Sequence, residues 1–110
     1  MTIRNAAFSV AAFAALGLTG AAPAAPAAQS HTITMANMGY GQIPTGLKVG
    51  DTIIWVNRDT VLHTATARDH SFDLRIAPGK SARLTLQKPG NIAFYCIFHA
   101  AMRGTLTVAP

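Results

Sequence analysis

The 110-residue sequence has a single cysteine, Cys96. A lone thiol excludes an intramolecular disulfide, so whatever holds the fold together must be something else. Charge is scarce too, at 12% of residues. From His31 onward there are eight lysines and arginines (Lys48, Lys80, Lys88, Arg58, Arg68, Arg75, Arg83, Arg103) against four aspartates (Asp51, Asp59, Asp69, Asp73). They stand singly along the chain, without the clustering and interleaved aromatics of a nucleic-acid footprint. Scattered positive charge of this kind serves solubility and attraction to an acidic partner. After Ser30 there is no internal repeat, no linker and no window with a helical period.

The first 28 residues differ from the rest. MTIRNAAFSVAAFAALGLTGAAPAAPAA has one charge, Arg4, then an alanine-rich apolar stretch, then small residues and two prolines. This is the order of a secretory signal peptide. An uncleaved membrane anchor is the alternative, but Ser9, Gly17, Thr19 and Gly20 interrupt a stretch poor in Leu, Ile and Val. The division expected is a cleaved leader over 1–30, cut somewhere in 24–30, and one domain over 31–110. Ala25-Pro26-Ala27 and Ala28-Gln29-Ser30 both present the small residues that a signal peptidase reads. The second cut would make His31 the N-terminus, whose amine and imidazole could together hold a metal; otherwise His31 opens the first strand. Roughly 80 residues remain, few for one core without a disulfide or metal staple.

Those residues read as short β segments between turns. HTITM, TIIWVN, LHTATA, ARLTL, IAFYC and TLTV are the strand signals, with LKV leading into TIIWVN. GYGQIPTG, RDT, IAPGKS and KPGN break regular structure. Seven or eight strands at this spacing predict an all-β, Greek-key β-sandwich. The predicted core is Ile54, Val56, Leu84, Leu86, Ile92, Phe94, Leu106 and Val108, and Met35 and Met38 are expected to pack at the first strand and its exit. Alternation puts Cys96 on the same face as Ile92 and Phe94, pointing inward.

The chemistry concentrates in YCIFHAAMRG. Cys96 ends a strand, His99 follows after two residues and Met102 after two more. A loop over the end of the sandwich brings the three to one point, and Gly104 is expected to turn the chain into the last strand. His63, after the RDT turn, is the fourth arm. His70 competes on spacing alone, but RDHS reads as a solvated loop. Each residue also has a bland role: a buried thiol, a surface histidine, a packing methionine. In an exported protein an unpaired thiol is prone to oxidation, which favours the ligand role. Two imidazoles, one thiolate and a thioether suit copper, as His₂Cys with a weak axial Met. Structural zinc generally takes four Cys or His ligands, and Met serves it poorly. Ile97, Phe98, Phe94 and Met102 are expected to form an apolar shell around the site.

With these motifs in view the sequence resembles the cupredoxins, the small blue-copper family. The resemblance runs from about His31 to Val108, on GDTIIWVNRDTVLHTA, FDLRIAPGKS, KPGNIAFYC and CIFHAAMRG. It implies one copper per chain bound by His63, Cys96, His99 and Met102, with the ring edge of His99 as the electron port. It implies that the Thr64 amide steadies the cysteine sulfur and that Asn57 gives structural support. Ala100 stands where many relatives have proline. The expected protein is an exported, periplasmic, monomeric one-electron carrier, not an enzyme, serving a redox partner with an acidic surface and inserting in no membrane after cleavage. The alternatives are a copper-delivery protein, with Met35, Met38 and His31 as a transfer route, and a metal-free sandwich with Cys96 in its core.

Overall fold

The computed structural model describes Thr2 and residues 27–110; the leader reading falls outside the described residues. Nine strands form: β1 Ser30–Ala36, β2 Gly39–Tyr40, β3 Leu47–Lys48, β4 Thr52–Asn57, β5 His63–Ala67, β6 Asp73–Ile76, β7 Ser81–Thr85, β8 Gly90–Cys96 and β9 His99–Ala109. Among the described residues there is no helix. The strands make two sheets, β2-β1-β4-β7 and β3-β9-β8-β5-β6, packed as a β-sandwich. The count exceeds seven or eight because GYGQIPTGLK contributes two strands of two residues each, β2 and β3.

β1 runs parallel to β4 from Ser30↔Thr52 to Met35↔Asn57. Its partner presents Ile53, Trp55 and Asn57 to the interior, and Asp51, just before β4, is buried on the same side. Ile54 and Val56, predicted as core, are only half-buried. In TIIWVN both faces are apolar, so alternation alone cannot say which faces inward. Two partnered polar residues close the two ends of the inward face. Leu84 is also half-buried, packed against the core rather than within it, whereas Leu86, Ile92, Phe94, Leu106 and Val108 are buried. The centre is aromatic: Phe94 meets Tyr40 at 4.8 Å and Trp55 at 5.1 Å between ring centroids, both edge-on.

Met35 is fully buried, but Met38 is 45% exposed in the tight β1–β2 turn, where Asn37 and Met38 both have positive φ (52° and 59°). A two-residue hairpin turn requires that backbone, so the Met38 side chain leaves the core.

His31 is the second residue of β1, not the first, and Nε2 lies 3.1 Å from Asp51 Oδ2. Asp51 also accepts the Gln29 N–H at 2.9 Å, the Lys48 N–H at 3.2 Å and Lys48 Nζ at 2.9 Å. The Gln29 and Lys48 donors hold its carboxyl well below the usual range, against the effect of burial, with His31 adding to them. A carboxyl depressed in the folded state stabilises above its unfolded pKa, near 3.9, and the contribution is lost as pH falls through the folded value. Melting temperature should therefore stay level down to about pH 4.5 and fall below about pH 4. In Asp51→Asn that acid fall should be shallower in melts recorded from pH 3 to 7.

Candidate metal centre

Three strand ends of the five-stranded sheet meet at one rim. β5 begins with His63, β8 ends with Cys96 and β9 begins with His99. The connection between β8 and β9 is only Ile97 and Phe98, because Cys96 pairs directly with His99. The register then jumps: Tyr95 pairs with Arg103, so Ala100, Ala101 and Met102 have no partner on β8. This irregularity gives the cysteine–histidine–methionine spacing its shape. β9 then runs on through Gly104 without a sharp turn, opposite Phe94. The turn expected at Gly104 is absent; its lack of a side chain serves a close approach instead. A Cβ there would stand 2.6 Å from Phe94 Cζ.

One donor atom each from His63, Cys96 and His99 lie within 4.8 Å of one another. Cys96 Sγ is 3.8 Å from His63 Nδ1 and 3.7 Å from His99 Nδ1, and the two rings cross at 73° with centroids 5.4 Å apart. A thiolate and an imidazole at about 2.3 and 2.0 Å from a metal, at trigonal angles, stand roughly 3.8 Å apart. The spacing therefore fits a trigonal metal ion. Met102 is buried on the inward face of β9. The soft and borderline donors of this rim suit copper.

His63 and Cys96 are fully buried and His99 is half-buried. Burial opposes ionisation of the Cys96 thiol, but the Thr64 N–H at 3.4 Å, the imidazoles of His99 and His63, and the Phe98 amide outweigh it. The thiol is pulled down to about 6, so at neutral pH it is mostly thiolate, the form that binds metals. The Thr64 amide thus occupies the place that the resemblance implied for it.

The RDT turn holds a residue that sequence reading passed over. Asp59 Oδ2 lies 2.7 Å from His63 Nε2, and the carboxylate also accepts the N–H groups of Asn37 at 2.8 Å and Met38 at 3.0 Å. With Nε2–H donated to Asp59, Nδ1 is left free to face the cysteine, the outer-shell arrangement that fixes a histidine ligand. Burial disfavours the His63 cation, yet Asp59 and Cys96 together raise its pKa, while His63 and the turn amides lower that of Asp59. An acid four residues before a histidine is too common to have signalled this. Asn57 gives the support expected: Nδ2 donates to Val61 O at 2.8 Å and Ile76 O at 2.9 Å, and Oδ1 accepts the Asp59 N–H at 2.9 Å.

The apolar shell differs from expectation. Phe94 and Met102 are buried, but Ile97 and Phe98 are 37% and 49% exposed. In a two-residue turn both side chains point away from the sheets, so they join Val61 and Leu62 as exposed apolar residues beside the two histidines. Arg75 covers the Phe98 ring, 5.6 Å from its centroid. His70 is exposed and outside the group of donors.

The family model of the Cupredoxin-like domain matches residues 7–108. The chain belongs to the cupredoxin family. No curated sequence matches it. Solved structures similar to this cupredoxin include a methionine-to-alanine variant of amicyanin with Cu(I), at 25% identity and TM-score 0.61, covering 72% of this chain and 81% of that one. Another is the Cu(I) form of a second methionine-to-alanine amicyanin variant, at 26% identity and TM-score 0.61, covering 78% and 86%. A third, the Cu(I) form at pH 4 of a proline-to-glycine amicyanin variant, has 27% identity, the same TM-score, and covers 78% and 86%.

Proposed function

We propose that this cupredoxin is an exported one-electron carrier in which His63, Cys96, His99 and Met102 would hold one copper. The observation that carries the reading is the buried group of one depressed thiol and two Nδ1 atoms at trigonal spacing. Copper supplies the electron chemistry when bound; the protein supplies donors that barely need to move. The Asp59 contact and the Asn57 bonds hold His63 and the turn before it, and the Thr64 N–H meets Cys96 Sγ. His99, half-buried beside exposed Ile97 and Phe98, is the group through which a docked partner is reached. Arg75 and the basic balance of the domain favour a partner with an acidic surface.

Copper delivery is less well supported. Of the three residues of the transfer route, Met35 is buried and His31 is tied to Asp51, which leaves Met38 alone exposed, and one thioether is a poor relay. Repeated oxidation and reduction in the presence of a Cu(I) chelator separates the two readings. A carrier keeps one copper per chain; a delivery protein surrenders it within a few cycles.

Export rests on the leader pattern, and Gln29 and Ser30 favour the earlier of its two cuts. The Gln29 carbonyl accepts the Thr52 N–H at 2.9 Å, and Ser30 pairs with Thr52. A cut after Ser30 would remove both contacts and the Gln29 bond to Asp51. The mass of the exported protein should correspond to a chain starting at Ala28; a chain starting at His31 would refute this assignment.

Asp59→Ala removes the partner of His63 Nε2 and two bonds to the β1–β2 turn. Copper affinity is expected to fall roughly 10–100-fold, measured by competition with a chelator of known affinity. An unchanged affinity would show that His63 is oriented by packing alone.

A further inference from the structure

Thr64 and Thr66 lie two residues apart on β5, on the face opposite His63, Ala65 and Ala67. Both are buried. Thr64 Oγ1 accepts the Ile97 N–H at 3.0 Å. The two threonine hydroxyl oxygens are 2.9 Å apart, and Thr66 Oγ1 is 2.8 Å from Asp73 Oδ1 on the neighbouring strand β6. The ends of this chain determine its direction. An amide can only donate and a carboxylate can only accept. Each hydroxyl has one proton, so Thr66 donates to Asp73 and then accepts from Thr64, whose remaining lone pair receives the Ile97 N–H. The reverse order would leave Asp73 without its donor and the buried Thr64 proton without an acceptor.

Thr64 therefore has both its groups committed to the metal rim. Its backbone N–H points at Cys96 Sγ and its side chain holds the first residue after Cys96. We propose that Thr66 and Asp73 are positioning residues for the copper centre, acting from the outer face of the sandwich by fixing the Thr64 hydroxyl and, through it, the Ile97 amide and the amide–sulfur contact. Thr66 shares β5 with His63 and Asp73 lies on β6, and the bonds of Thr66 run to Thr64 and Asp73, not to a metal-ligating side chain. An acceptor oxygen at the end of the chain aligns each hydroxyl toward the next, so the bonds strengthen one another. One consequence follows for the sulfur. A loosened Thr64 leaves Cys96 with a weaker hydrogen bond and more electron density, which favours Cu(II) and lowers the reduction potential.

This inference builds on the copper reading, but its first test needs no copper. Amide hydrogen exchange is measured on the metal-free wild type and on Thr66→Val, which keeps the shape and removes the hydroxyl. Exchange of the Ile97 and Thr64 amides should accelerate roughly fivefold or more, the effect of one lost hydrogen bond, while Trp55 and Ile33 amides stay at the wild-type rate. Thr66→Ser should restore the slow rate. In the copper-loaded proteins Thr66→Val should have a lower potential and a shifted visible band.

Two exposed-site variants separate geometry from charge. Asp73→Asn keeps an acceptor oxygen and should match the wild-type exchange rates; Asp73→Ala should accelerate them. If Asp73 acted only through its charge, Asn and Ala would change the potential equally, which would overturn the proposal. It is also overturned if Thr66→Val leaves Ile97 exchange within about twofold of wild type, or if all core amides accelerate alike, the mark of a merely structural residue. A wild type that binds no copper would defeat the copper reading, while the exchange result would still decide the role of the chain in shaping the rim.

Discussion

Cys96→Ser is expected to abolish any intense visible band and to cut copper affinity by more than the roughly 10–100-fold typical of losing an outer-shell partner. The reasons are chemical and local. Cys96 supplies the only thiolate of the chain, and a hydroxyl stays protonated where the thiol is pulled down to about 6. The Thr64 and Phe98 amides that favour the anion would face a neutral oxygen instead. The two Nδ1 atoms remain, so weak copper binding by imidazole alone should survive. Fold stability without metal should change little, since serine is close in volume. A chelator competition and a melt of the metal-free protein check the two halves separately; equal copper affinity in both proteins would remove Cys96 from the site.

The second large effect is on stability. Gly104→Ala would set a Cβ 2.6 Å from Phe94 Cζ and 3.1 Å from both Cε atoms, well inside contact distance. Phe94 has no room to yield, being fully buried with Tyr40 and Trp55 edge-on to it. Overpacking of this kind costs about 1–3 kcal/mol. The strain falls where Gly104 pairs with Phe94, two residues before Cys96 on one strand and two after Met102 on the other. The denaturation midpoint of the metal-free protein should drop accordingly, and copper should bind the variant more weakly. An unchanged midpoint would mean that the Phe94 ring can shift, against the packing described.

What the sequence allowed to be read follows from which signals are local. The strands announce themselves by β-branched runs and by turns such as Pro78-Gly79, where Gly79 has a φ of 72°. Cys96, His99 and Met102 are close in sequence, so their spacing alone suggested a common point, and His63 was added as a fourth arm because it opens a strand after the RDT turn, with the family resemblance agreeing. The failures came where two choices look alike locally. Ile53–Trp55 and Ile54–Val56 are equally apolar, and only the packing of β4 between β1 and β7 chooses between them. Ile97 and Phe98 look like shell residues until the connection proves to be a two-residue turn. Asp59, Thr66 and Asp73 act through contacts that depend on strand register and on a folded loop, and no residue pattern encodes either. Gly104 suggested a turn because glycine permits one, whereas its role is to leave room for the Phe94 ring on the adjacent strand, opposite it in the register.

The central claim is that one copper sits among His63, Cys96, His99 and Met102 and changes oxidation state there. Its most direct test is a visible absorption spectrum of the purified protein titrated with Cu(II). The account predicts an intense blue band that grows to saturation at one copper per chain, bleaches on reduction and returns on reoxidation. A colourless or faintly coloured complex, or saturation at some other ratio, would contradict it.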